Sequence, residues 1–180
     1  MDNKESDYSR TKRFINKNYE FFQKFDITPD EIFKYHQENH SNIPLKDYLW
    51  ALYNKFINDL KPVDNDYEDF CLKSSEIYWS MLLFRREVEF KEDYRLLKLA
   101  RLKKLEGTKS NTGLKLEVQI VSHGDCNNCN PLNGKKFTIN EILENPVLDN
   151  GKCESKPFCH AMYLTKPARD KDGNLLIEND

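Results

Sequence analysis

Four cysteines stand in two pairs: Cys126-Asn-Asn-Cys129 and, after twenty-three intervening residues, Cys153-Glu-Ser-Lys-Pro-Phe-Cys159. This spacing constrains the fold more than any other feature of the chain. A C-x2-C turn lets two thiolates point at one ion from a tight backbone knuckle. A second pair from elsewhere completes a tetrahedron, which a zinc ion accepts because it has no d-electron geometric preference. Calcium and magnesium want oxygen ligands and do not suit the set. An iron–sulfur cluster also uses four thiolates and ranks below zinc. The competing reading is that these are ordinary buried thiols; the paired spacing argues for metal. Four cysteines close the coordination shell, whereas a catalytic zinc keeps an open position, so the expected role is structural. The ligand set has two substitutes. His123 lies three residues before Cys126 and His160 directly follows Cys159, and either can replace a cysteine, with Cys153 the most replaceable. Cys71, in an apolar helical pattern, reads as an inert core thiol.

The N-terminal stretch supplies no apolar signal segment, and no apolar run approaches the ~20 residues of a transmembrane helix. The chain therefore reads as cytoplasmic, where thiols stay reduced and clustered cysteines point to metal before disulfides. The 28 basic and 30 acidic residues nearly balance, so charge selects no partner class. Aromatics at 12% and a net charge of -2 exclude a disordered chain and predict a core built on rings.

Residues 8–106 carry helical periodicity throughout. Phe14, Ile15, Tyr19, Phe22 and Phe25 share one face. Thr28-Pro29-Asp30-Glu31 is a capping box that opens a second helix running to about His40. A third begins near Pro44, carries Leu45, Leu49, Leu52, Phe56 and Leu60, and ends before Pro62. A fourth follows Asp64-Asn65-Asp66 and either continues or breaks and restarts before Tyr94, with Gly107 as its stop. The small polar run 108–113 is the expected module boundary. Beyond it the period changes to two: Leu114, Leu116, Val118 and Ile120 alternate with polar residues, as in a half-buried strand. Asn133-Gly134 reads as a turn, Lys135-Lys136-Phe137 as a return strand, and Thr138-Ile139-Asn140-Glu141 as a capping box opening a short helix that ends before Pro146. The polar tail from Lys166, with Asp172-Gly173 as a turn, frays or ends in a hairpin.

The run His123-Gly-Asp-Cys126-x-x-Cys129-x-x-Leu132-x-Gly134-Lys135-x-Phe137, followed by Pro146, Cys153 and Pro157-Phe158-Cys159, resembles a signature that ends small zinc domains of bacterial and phage proteins. Among these are the Mu-F-type phage head morphogenesis, or minor capsid, proteins. The resemblance covers residues 122–163. It departs at the close, where Cys159-His160-Ala161 stands for the family's Cys-Arg-Cys. It implies a zinc site and a bacterial or phage origin, and it carries no activity across.

Other signals point less far. His36 and His40 sit four apart on a helix, but Gln37 stands where a zincin needs its general-base Glu, so they read as polar surface residues. Arg95, Lys98, Arg101, Lys103 and Lys104 form a basic run with no acid between Arg95 and Leu105; it reads as a solvated helix end, with phosphate contact as the alternative. From residue 114 onward eight basic residues face ten acidic ones, and a tetrathiolate zinc centre adds further negative charge, which disfavours nucleic acid. Lys135-Lys136, Lys152 and Lys156 leave a local basic patch open. No phosphate-binding or nucleophile-elbow motif is present. A His-metal nuclease on a treble clef would use His123 or His160, helped by Asp125, but its oxygen-rich second metal site cannot be assembled from the spacing.

Together these readings predict an α+β protein. Residues 1–107 form an antiparallel bundle of four or five helices, and residues 114–180 a small zinc-stapled β-α module of treble-clef or zinc-ribbon type. One structural zinc sits on Cys126, Cys129, Cys153 and Cys159. The function expected is non-enzymatic interaction or assembly, with a protein partner and no membrane; nucleic-acid binding or cleavage is the alternative.

Overall fold

The computed structural model describes residues 5–62, 66–109, 113–122, 124, 126–148, 153–155 and 159–177. Among them are seven α-helices and a three-stranded antiparallel sheet, an α+β chain as predicted. Two compact units are present, each built from two chain segments: Met1–Lys61 with Glu76–Asp93, and Pro62–Ser75 with Tyr94–Asp180.

The first unit holds α1 (Asp7–Lys17), α2 (Tyr19–Gln23), α3 (Pro29–Asn39), α4 (Leu45–Asp59) and the later part of α5 (Tyr67–Glu87). Where the sequence suggests one helix over the first aromatic face, the chain breaks at Asn18. The Phe14 carbonyl accepts both the Asn18 backbone amide at 3.1 Å and the Asn18 side-chain amide at 2.8 Å, so the side chain caps the end of α1. A second break follows α5, where Val88 is buried and Phe90 adopts a left-handed φ of 56°. These breaks give six helices among the described residues before residue 110, rather than four or five. The capping box at Thr28 forms as expected: the Glu31 amide donates to the Thr28 hydroxyl, and the Glu31 carboxylate accepts from the Thr28 amide at 2.7 Å. The core is aromatic, with Phe14, Phe22, Tyr53 and Phe84 buried. Phe14 meets Phe84 edge to face at 5.7 Å, and the Tyr53 hydroxyl finds Ser80 at 2.8 Å. Removing each such ring from water stabilises the fold by about 1.5–3 kcal/mol.

The second unit holds the start of α5, then α6 (Tyr94–Lys109), β1 (Leu116–Val121), β2 (Lys136–Thr138), α7 (Ile139–Glu144) and β3 (Met162–Pro167). Gly107 does not stop α6, which runs on to Lys109. Its missing side chain is used for packing instead: a Cβ there would lie 3.1 Å from the Cys71 Cβ and 3.3 Å from the Glu68 carbonyl. The strand order is β2-β1-β3, with Val118 opposite Phe137 on one side and Thr165 on the other. The predicted alternation holds for Val118 and Ile120, which are fully buried, whereas Leu116 is half-buried like Glu117 and Leu114 precedes the strand. Leu105 of α6, Val118 of β1 and Ile139 and Ile142 of α7 form one core cluster of this unit. Gly134 turns the chain between β1 and β2 at φ 78°, and α7 opens on the Thr138–Glu141 capping box. The tail folds back through a turn at Asp170–Gly173, bridging Arg169 to Leu175 and Leu114 to Ile177. β3 is an element the sequence reading did not identify.

Candidate metal centre

The site begins where β1 ends. Ser122 donates its amide to the Asn133 side chain at 2.9 Å and its hydroxyl to Asn130 at 3.0 Å, while Asn130 donates to the Gly124 carbonyl. These bonds fix the loop into which Cys126 and Cys129 are set. The Cys129 and Asn130 amides then both donate to the Cys126 carbonyl, at 3.1 and 2.9 Å, closing the knuckle. A short 3-10 turn, Asn130–Leu132, leads into β2. The Cys153 segment is tied to this knuckle by Glu154, whose carboxylate accepts from Asn127 at 3.1 Å and from Asn128 at 3.4 Å. The two residues between the first cysteine pair thus hold the segment that carries the second.

All four cysteines of the predicted set converge. The sulfurs of Cys126, Cys129 and Cys153 lie within 4.8 Å of one another. The Cys129 Sγ is 3.9 Å from that of Cys153 and 3.5 Å from that of Cys159. These separations are far beyond the ~2.05 Å of a disulfide. A tetrahedral ion with metal–sulfur bonds of about 2.3 Å places its ligands about 3.8 Å apart, so the donor set fits such an ion. Cys126, Cys129 and Cys159 are buried and Cys153 is half-buried. These closely spaced cysteines can hold a metal ion.

The thiols titrate unequally. Burial acts to raise Cys126, but hydrogen bonds from the Glu154 backbone and from Cys129 outweigh it and bring its pKa to about 6. Burial and the neighbouring thiols raise Cys129, and burial likewise raises Cys153 against the hydrogen bond from the Ser155 backbone. The Cys126 thiolate is therefore favoured, while Cys129 and Cys153 are pushed the other way, by burial first and by the neighbouring thiols second. A bound cation reverses that arrangement by displacing the protons.

His160 is half-buried and follows Cys159, while His123 and Asp125 lie outside the described residues, as do Lys152, Lys156, Pro157 and Phe158. The His36/His40 pair is elsewhere and is not a surface pair. His36 is buried, its Nε2 donates to the Ile43 carbonyl at 2.9 Å, and both imidazoles pack on Tyr48. The basic run of α6 is partly engaged within the chain. Lys103 pairs with Glu106 at 2.6 Å, and Arg101 Nη2 donates to the Cys159 carbonyl at 2.8 Å. Arg101 is a site residue that sequence reasoning missed, since nothing in its helix points to a partner 58 residues away. Among the described residues no helix is long and apolar enough to cross a membrane.

Comparison of the chain with protein-family models, curated proteins and solved structures found no match.

Proposed function

We propose that this chain is a non-enzymatic interaction or assembly protein of bacterial or phage origin, whose second unit is stapled by one structural zinc ion on Cys126, Cys129, Cys153 and Cys159. The observation that carries the zinc reading is the sulfur spacing: 3.5 and 3.9 Å from Cys129 to Cys159 and Cys153, against about 3.8 Å for a tetrahedral tetrathiolate ion. The physical need is also plain. The cysteine segments lie in irregular backbone between short elements, and such segments are ones that metal ligation commonly fixes.

Four sulfur ligands leave no open coordination position for water or substrate, so the centre supplies rigidity rather than chemistry. The resemblance of residues 122–163 to the C-terminal zinc domains of phage head morphogenesis proteins supports the zinc site and the bacterial or phage origin. The engagement of Arg101 and Lys103 within the chain weakens the case for a phosphate-binding α6. Elemental mass spectrometry of the purified protein tests the metal: one zinc per chain is expected, and metal-free protein with reactive thiols would overturn the reading. Binding to a random DNA duplex at two salt concentrations tests the alternative. An assembly protein shows no affinity at physiological salt, and a nucleic-acid binder shows one that falls steeply as salt rises.

A further inference from the structure

We propose that Arg101 is a positioning residue of the metal centre, coupling α6 to the second cysteine pair and offsetting the negative charge of the zinc tetrathiolate; this rests on the zinc reading above. Three observations meet at this residue. Its guanidinium donates to the Cys159 carbonyl at 2.8 Å, so it holds the backbone of the most deeply buried of the four cysteines. It sits one turn before Leu105, which is 3% exposed and packs in the core with Val118, Ile139 and Ile142. The helix that presents it is thus anchored in the same compact unit as the cysteines. Lastly, four thiolates around a divalent cation leave roughly two negative charges in excess. The Glu154 carboxylate adds to that excess and is met by the neutral amides of Asn127 and Asn128. The Arg101 guanidinium, held on the Cys159 carbonyl, supplies charge of the right sign.

Cys159 has no partner within its own loop comparable to the Asn127 and Asn128 bonds that steady Cys153 through Glu154 among the described residues. Arg101 performs that task for Cys159. Guanidinium rather than ammonium suits it, because the planar head keeps its charge and its donor direction together. Residues that orient a metal ligand in this manner typically change affinity about 10–100-fold when removed.

The test compares full-length wild type with Arg101→Gln, Arg101→Lys and Lys104→Ala, measuring zinc affinity by chelator competition and melting with and without chelator. Arg101→Gln keeps a donor and loses the charge; Lys104→Ala removes an exposed charge from the same helix. The expected result is one zinc per chain in every form, with affinity about 10–100-fold weaker in Arg101→Gln, an intermediate loss in Arg101→Lys, and none in Lys104→Ala. Melting of the chelated proteins should coincide, since the contact belongs to the assembled centre. Zinc affinity of Arg101→Gln within twofold of wild type would overturn the proposal and leave the zinc site standing. An equal drop in melting with and without chelator, at unchanged affinity, would assign Arg101 to helix packing instead. Wild type that binds no zinc would remove the underlying reading itself.

Discussion

At the scale of single residues, the five cysteines divide into two physical classes. Cys71 is buried in α5, where its Cβ faces Gly107 and burial raises its thiol pKa. It is a packing residue. Cys129 has sulfur neighbours at 3.5 and 3.9 Å and belongs to the metal-competent group. Cys71→Ser should therefore keep one zinc and cost about 1 kcal/mol in stability, in the range of ordinary core substitutions. Cys129→Ser should lose the metal and unfold the second unit. Metal content and thermal melting of the two variants check both, and a Cys129→Ser protein that kept its zinc would remove Cys129 from the ligand set. The cysteine pattern was legible because C-x2-C with a second pair is a local signature. The roles of His36 and Arg101 were not. Each is fixed by a carbonyl reached only in the fold, that of Ile43 for His36 and that of Cys159 for Arg101.

At the scale of elements, helix starts followed local chemistry and helix stops did not always. Both capping boxes, Thr28–Glu31 and Thr138–Glu141, form as the sequence spells them, because every atom involved lies within one turn. Thr138→Ala should cost about 1 kcal/mol, read as a lower urea midpoint with unchanged slope. The Glu31 and Glu141 carboxylates accept from the paired threonines, Glu31 first from the Thr28 side chain and Glu141 first from the Thr138 backbone, which lowers both pKa values below 4.5. A depressed carboxylate stabilises fully above its unfolded value and loses that contribution as pH falls through the folded one. Glu141→Gln should accordingly flatten stability between about pH 5 and 3 relative to wild type, seen as a smaller acid-side drop in melting temperature. Gly107 shows the opposite case. It reads as a stop but lies inside α6 at a close approach to Cys71 and Glu68. Gly107→Val should overpack that crossing and cost about 1–3 kcal/mol, measured by denaturant unfolding, and a neutral outcome would show that α5 and α6 can separate there.

For the whole molecule, the two compact units should respond differently to loss of metal. Chelation is expected to raise amide hydrogen exchange across β1, β2, α7 and β3, which share the second unit with the cysteines. The α1 and α4 amides, in a unit with a large aromatic core of its own, should keep their protection. Exchange followed by mass spectrometry with and without chelator reads this directly. Uniform loss of protection along the chain would mean that the units do not open separately.

The sequence by itself determined what short-range physics controls: the helical character of the first hundred residues though not the break at Asn18, the switch to period two, both capping boxes, the Asn133-Gly134 turn, and the type and pairing of the metal-competent cysteines. Each rests on atoms a few residues apart. Tertiary structure alone decided the rest. It placed α6 with the sheet and α7, although α6 precedes the polar linker, because Leu105 finds its apolar partners in Val118, Ile139 and Ile142. It added β3, whose short Met162–Pro167 run is paired along its length with β1. It also turned Arg101 from one cation in a basic run into the partner of Cys159, a contact that linear spacing cannot encode.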